Sequence, residues 1–291
     1  MTRISRSPGE VTGLRQAILL LLIVLATACA NGGAQDPKPA PVPYNLVGPV
    51  IDRASLTTVE RRGYEIYLRD IAASRATDAA RWEIDLEKSG ALGWIVVPYE
   101  RGYLVRFVDR DERTVADVSV DPTSALPAYV IKDASSKDLS GREKAMWRAR
   151  QLAGGQPFMV CSDRYDTVVI PEDDDPDSRW LVYLLAATID PTLIMLGGHH
   201  RFVVDAEGRT VIEHLALSRS CLSNQYTETT AMISMSHIVS PEPVESQVYL
   251  SLLHGIPIGV CRLDVSEHAL QKSSQQIATD LPQAEFQQIR G

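Results

Sequence analysis

The segment Gly197-Gly198-His199-His200-Arg201 places two imidazoles side by side, and His237, Glu242 and Glu245 follow downstream. Histidine is the commonest transition-metal ligand, so these residue types could hold a zinc ion that activates a water for hydrolysis. Spacing argues against it. Neighbouring residues of a strand point to opposite faces, so His199 and His200 could share a metal only if the preceding glycines supplied a bulge. No HxH or HExxH pattern ties His237 to them. The expectation is that both histidines are structural and that no metal is held. The alternative is a metal-dependent envelope hydrolase using His199 or His200, His237 and a carboxylate.

The acidic run Glu172-Asp173-Asp174-Asp175-Pro176-Asp177 begins like a calcium loop, but Ser178 stands where the loop needs glycine and Leu184 where it needs a bidentate glutamate. It reads instead as a solvated hairpin turn. GxSxG, the P-loop and GxGxxG are absent from the chain, which removes the common nucleophile elbow and nucleotide cradles. No catalytic residue and no cofactor are expected, and the balance leans away from an enzyme.

The elements that must position these residues are legible in outline. Thr57 with Glu60, and Ser140 with Glu143, have the spacing of helix-initiating capping boxes. Tyr64, Tyr67, Leu68 and Ile71 recur at helical spacing after the first. Its end is ambiguous, because Trp82, Ile84 and Leu86 alternate like a strand whereas Ala79, Trp82 and Leu86 fit one helical face. The second box opens a helix from Ser140 to Ala153. Leu92 to Tyr99, Tyr103 to Val108 and Arg113 to Val120 read as a β-meander. Further strands are expected at Thr167 to Ile170, Trp180 to Ala187, Leu193 to Val204, Arg209 to Leu217, Ala231 to Ile238, Ser246 to Leu252 and Ile256 to Leu263. The fold class is α+β: two helix-plus-antiparallel-meander units over 51–135 and 136–265, or one continuous sheet with helices on one face. Trp94, Arg106-Phe107-Val108 and Arg113-Thr114-Val115 are echoed by Trp180, Arg201-Phe202-Val203 and Arg209-Thr210-Val211. Either a duplicated module or shared hairpin chemistry accounts for that likeness.

At the start of the chain, Arg3, Arg6 and Arg15 against a single acid, Glu10, precede the apolar run Ala17 to Leu25. This is the pattern of a secretory signal peptide over 1–28, and the run is short of the ~20 apolar residues that span a bilayer. Leu25-Ala26-Thr27-Ala28-Cys29 resembles the lipobox of bacterial lipoproteins. The resemblance implies cleavage before Cys29, a diacylglyceryl group on its thiol and an acylated amino terminus. Ala30, in place of the aspartate that retains such proteins in the inner membrane, implies the periplasmic side of the outer membrane. Pro37, Pro39, Pro41, Pro43 and Pro49 make 29–50 an extended tether, and 266–291 is a polar, Gln-rich tail.

The chain carries a formal charge of −8. The leader contributes a net +2, leaving −10 on the remainder. An acidic body without a basic tract excludes nucleic acid, whose binding depends on Lys and Arg neutralising phosphates. The expected partners are the membrane, through the lipid, and an envelope protein or peptidoglycan-associated component. In an oxidising compartment the remaining cysteines, Cys161, Cys221 and Cys261, form one bridge and leave one thiol. Cys161 and Cys221 sit among polar residues at strand ends, so they are expected to pair, with Cys261 a buried thiol in an apolar run.

The stretches Cys161 to Pro171, Trp180 to Leu185, Gly197 to Phe202 and Ser218 to Cys221 resemble a group of secreted or lipid-anchored proteobacterial proteins of uncharacterised activity. The resemblance covers the second half of the chain and implies placement in the envelope without implying a reaction.

Overall fold

Helix initiation follows the two boxes. Thr57 Oγ1 accepts the Glu60 backbone N–H at 3.3 Å while the Thr57 backbone N–H donates to Glu60 Oε2 at 2.9 Å, opening α1, Thr58–Glu83. Ser140 and Glu143 repeat the exchange at 3.3 and 2.7 Å to open α2, Gly141–Gly154. Each box satisfies backbone donors that the first turn leaves without helical partners. The computed structural model describes residues 54, 56–131, 138–237 and 243–262, and only the backbone of His237, Cys261 and Arg262. Cys29, the leader 1–28, the tether 29–50, Glu242 and the tail 266–291 lie outside the described residues.

The fold is α+β. After α1 come β1 (Gly93–Tyr99), β2 (Gly102–Val108), β3 (Thr114–Val120) and β4 (Tyr129–Ile131), an antiparallel sheet in the order β1-β2-β3-β4. After α2 come β5 (Arg164–Pro171), β6 (Trp180–Ala187), β7 (Leu193–Met195), β8 (His200–Val204) and β9 (Val211–Ala216). Of these, β5-β6-β8-β9 form a second antiparallel sheet, and β7 pairs with β10 (Ser223–Gln225). The chain continues through β11 (Ile233–His237), α3 (Glu245–His254) and β12 (Ile258–Arg262), whose backbone carries Cys261.

Three of the expected elements differ from the sequence reading, each for a physical reason, and β4 and β10 are short strands it did not include. The run Leu193 to Val204 is two strands, broken where Gly197 and Gly198 pass close under the 218–222 loop; a Cβ on Gly197 would meet Leu222 N at 2.8 Å. Ser246 to Leu252, expected as a strand, is the helix α3. The Val244 backbone N–H donates to Gln247 Oε1 at 3.0 Å at its start, and Gly255, with φ 63°, takes the left-handed conformation at its end. Because α3 links β11 to β12 as a crossover, those strands pair in parallel. The ambiguous end of α1 resolves as helix to Glu83, and Trp82 is 90% exposed rather than sharing the buried face of Ala79.

The two large sheets meet at their edge strands, β1 against β5. Alternate residues of each strand then feed different layers. Leu181, Tyr183 and Leu185 of β6 join Val105, Phe107 and Val118 beneath α1 and α3, while Trp180, Val182 and Leu184 join Ile95, Phe202 and Val204 beneath α2. Helices therefore lie on opposite faces of the paired sheets. Across the seam, Arg150 of α2 donates from Nη1 to the Thr167 carbonyl at 2.8 Å and stacks over Trp94 at 4.8 Å. The like segments noted in sequence fall on three neighbouring antiparallel strands of each sheet, β1-β2-β3 and β6-β8-β9, with β5 lying outside the second set.

Candidate functional site

The histidines expected to be structural are engaged at every described ring nitrogen that faces the interior. His199, 1% exposed and just ahead of β8, accepts the Ala186 backbone N–H at Nδ1 (3.1 Å) and donates from Nε2 to the Met195 carbonyl (2.8 Å). The Ala186 N–H fixes the tautomer, because a nitrogen that accepts carries no proton. His200 points to the other side, where Nε2 donates to the Met159 carbonyl at 3.1 Å and Nδ1 meets His214 Nε2 at 3.0 Å. His214 stacks flat on Phe202, centroids 4.1 Å apart. Burial lowers the pKa of all three, His199 to about 4, so the rings are neutral at physiological pH.

The disulfide Cys161–Cys221, closing 60 residues, holds the loops around this pair. Gly198, with φ +83°, packs directly on Cys161, where any side chain would overlap it. Glu245, the carboxylate considered for a metal, is 2% exposed and committed elsewhere. Its Oε1 accepts Tyr183 Oη at 3.0 Å and Arg201 Nη1 at 2.5 Å, with Arg62 Nη1 3.8 Å away. Among the described residues no group of three His, Cys, Asp or Glu side chains could hold a metal ion. The side chain of His237 and the whole of Glu242 lie outside the described residues. The acidic run Glu172 to Asp177 is the β5–β6 turn, with Asp173 and Asp175 each accepting the backbone N–H two residues on, at 3.0 and 2.8 Å.

The chemistry that sequence reasoning missed lies on the α1 face of the second sheet. A cavity of ≈ 550 Å³ opens between α1, the start of β5, the β6–β7 connection and α3. Asp70 of α1 and Asp166 of β5 line it together, with Tyr249 of α3 donating to Asp70 Oδ2 at 3.0 Å. Ile71, Leu193, Met195, Leu250 and Leu253 supply an apolar wall, and Asp78, Arg81 and Arg164 stand on the exposed rim. His199 sits behind that wall: the two backbone groups it ties, on Ala186 and Met195, belong to residues that line the cavity.

No family model matches the chain, and no curated protein or solved structure matches it either. The site is therefore read from its own geometry.

Burial raises the pKa of Asp70 to about 7, reinforced by the charge of Asp166 and opposed by the Tyr249 hydroxyl. Burial raises Asp166 as well, opposed by Arg164 and Arg150. Both carboxyls line one partly dry space, where burial and the neighbouring charge favour the protonated form of Asp70. His254, which also lines the cavity, is lowered to about 4 by burial; its Nδ1 lies 3.0 Å from Tyr226 Oη. One sequence signal could have exposed the site: Asp70, Ser74, Thr77, Asp78 and Arg81 form a polar stripe at helical spacing beside the apolar Tyr67, Leu68 and Ile71.

Proposed function

We propose that the protein is a non-catalytic binding module of the cell envelope, anchored by lipid at Cys29 to the periplasmic side of the outer membrane, that holds part of an envelope component in the Asp70–Asp166 cavity. The anchor rests on the lipobox-like leader and the proline-rich tether. The cavity supports a binding role because its ≈ 550 Å³ suits a small ligand, one wall is apolar, and convergent polar groups opposite can orient what enters. A lipid tether through an extended linker holds such a cavity within reach of the envelope without a spanning helix, and none of the described helices is long and apolar enough to cross a membrane.

Ser74 is exposed and lines the cavity, so Ser74→Trp fills the site while leaving the core packed. Native mass spectrometry of the full chain against a fragment library should show adducts on wild type that Ser74→Trp loses at unchanged melting temperature. Equal adducts on both proteins, or none on wild type, would remove the cavity from the account. Radioactive palmitate should label wild type and not Cys29→Ser; label retained by the variant would remove the anchor.

A further inference from the structure

We propose that the ligand of this cavity is an organic cation, a protonated amine attached to a compact apolar group, with its ammonium seated between Asp70 and Asp166. The inference rests on the cavity being a binding site and adds the class of molecule it takes. The inner polar surface is acceptor-rich: two carboxyls from different elements meet there, and the Tyr249 hydroxyl already donates to one of them. An ammonium has three donors and no acceptor, so it matches carboxylate oxygens. An anion would face both carboxyls, and a neutral alcohol would forgo the charge-assisted bond. The apolar wall of Ile71, Leu193, Met195, Leu250 and Leu253 then covers the rest of the ligand.

Charge balance within the site supports this. The titratable groups facing the pair are Asp78 and Arg81 of α1, Arg164 of β5, Arg150 of α2, and Tyr249 and His254 of α3. Arg81 and Arg164 are exposed on the rim, where solvent screens them. Arg150 donates to the Thr167 carbonyl and keeps its charge, which offsets that of Asp166. His254 is neutral at pH 7. With Asp166 balanced by Arg150, the charge left for an arriving ammonium is that of Asp70, whose proton it displaces. Opposite charge favours the ionised carboxylate, so binding should release about half a proton at pH 7, where Asp70 is about half protonated. Affinity should rise between pH 6 and 8.

Isothermal titration of the full chain at pH 7 with cyclohexylamine, cyclohexanol and cyclohexanecarboxylate, in phosphate and in HEPES, tests the assignment. The amine should bind, the alcohol about tenfold or more weaker, and the carboxylate not at all. The heat of amine binding should differ between buffers by the proton released. Asp70→Asn, which keeps the shape and the contact to Tyr249, should weaken the amine by about tenfold or more and abolish the buffer dependence; Asp166→Asn should weaken the amine as well and reduce the buffer dependence, and Ser74→Trp should block binding. Alcohol or carboxylate bound as tightly as the amine, or amine affinity unchanged in both asparagine variants, overturns the cation assignment. So does an amine that fails to bind: if library fragments still bind wild type and not Ser74→Trp, only the ligand class is wrong, and if nothing binds, the cavity reading fails with it.

Discussion

The histidine cluster and the carboxylate cavity are made of equally polar side chains and end in opposite states. Around His199 and His200, backbone carbonyls, a backbone amide and a third imidazole take up the ring nitrogens, leaving neutral rings with no capacity turned toward a ligand. At Asp70 and Asp166, two carboxyls line one space and burial favours the protonated form of each. The first arrangement lowers energy by closing every bond, as buried polar groups must. The second leaves a buried acid whose ionised form an arriving cation favours. Reactive residue types are thus a poor guide when the backbone has already claimed them, whereas two ordinary aspartates become a site through what faces them.

The contrast breaks first at the closed clusters, where deletion should be most costly. Glu245→Ala leaves Arg201 and Arg62 without their buried carboxylate, and breaking such a pair costs ~3–5 kcal/mol; urea unfolding should show that loss, and a change under 1 kcal/mol would mean the network is not closed. Cys161→Ser releases a 60-residue loop and should cost ~2–4 kcal/mol in the same assay, with wild type losing the same amount on reduction. His199→Ala strands the Ala186 N–H and the Met195 carbonyl and should cost ~1–3 kcal/mol. Zinc and EDTA should leave its melting temperature, and that of wild type, unmoved; a zinc-dependent rise in wild type that the variant loses would make the histidines a metal site.

How far the sequence carries this picture depends on how local the determining forces are. Both capping boxes and the bounds of β6 follow from neighbouring residues, and the Cys161–Cys221 pairing follows from the polar surroundings of those two cysteines. Helix α3 was hidden because Val248 and Tyr249 favour a strand by type, and ten residues are too few for helical period to prevail. Its left-handed Gly255 was the available clue. The break between β7 and β8 depends on a loop that arrives later in the chain. The pairing of Asp70 with Asp166 is less visible still: it exists because α1 packs on β5, elements far apart in the chain, a contact made by no local pattern.

A smaller effect distinguishes the two regions by the sign of their response to acid. His199 and His254 titrate at about 4 when folded, below the ordinary 6.5, so their contribution is complete above pH 6.5 and is lost as pH falls toward 4. Asp70, at about 7 against an ordinary 3.8, runs the other way: its contribution is complete below pH 3.8 and is lost as pH rises through 7. In wild type the trends oppose each other between pH 4 and 6.5. Asp70→Asn removes one of them, so its melting temperature by circular dichroism should fall more steeply on acidification than that of wild type. An equal or shallower fall would mean that Asp70 is not a protonated buried acid.

The most direct test is the titration of Asp70 itself, followed by carboxyl carbon-13 NMR in the full chain. The account predicts an apparent pKa of about 7 in wild type. In Asp166→Asn the value should fall yet stay above 3.8, because burial is the larger cause and the Asp166 charge the smaller. An Asp70 that titrates near 3.8 in wild type, or that is indifferent to Asp166→Asn, would show that the two carboxyls do not share one cavity.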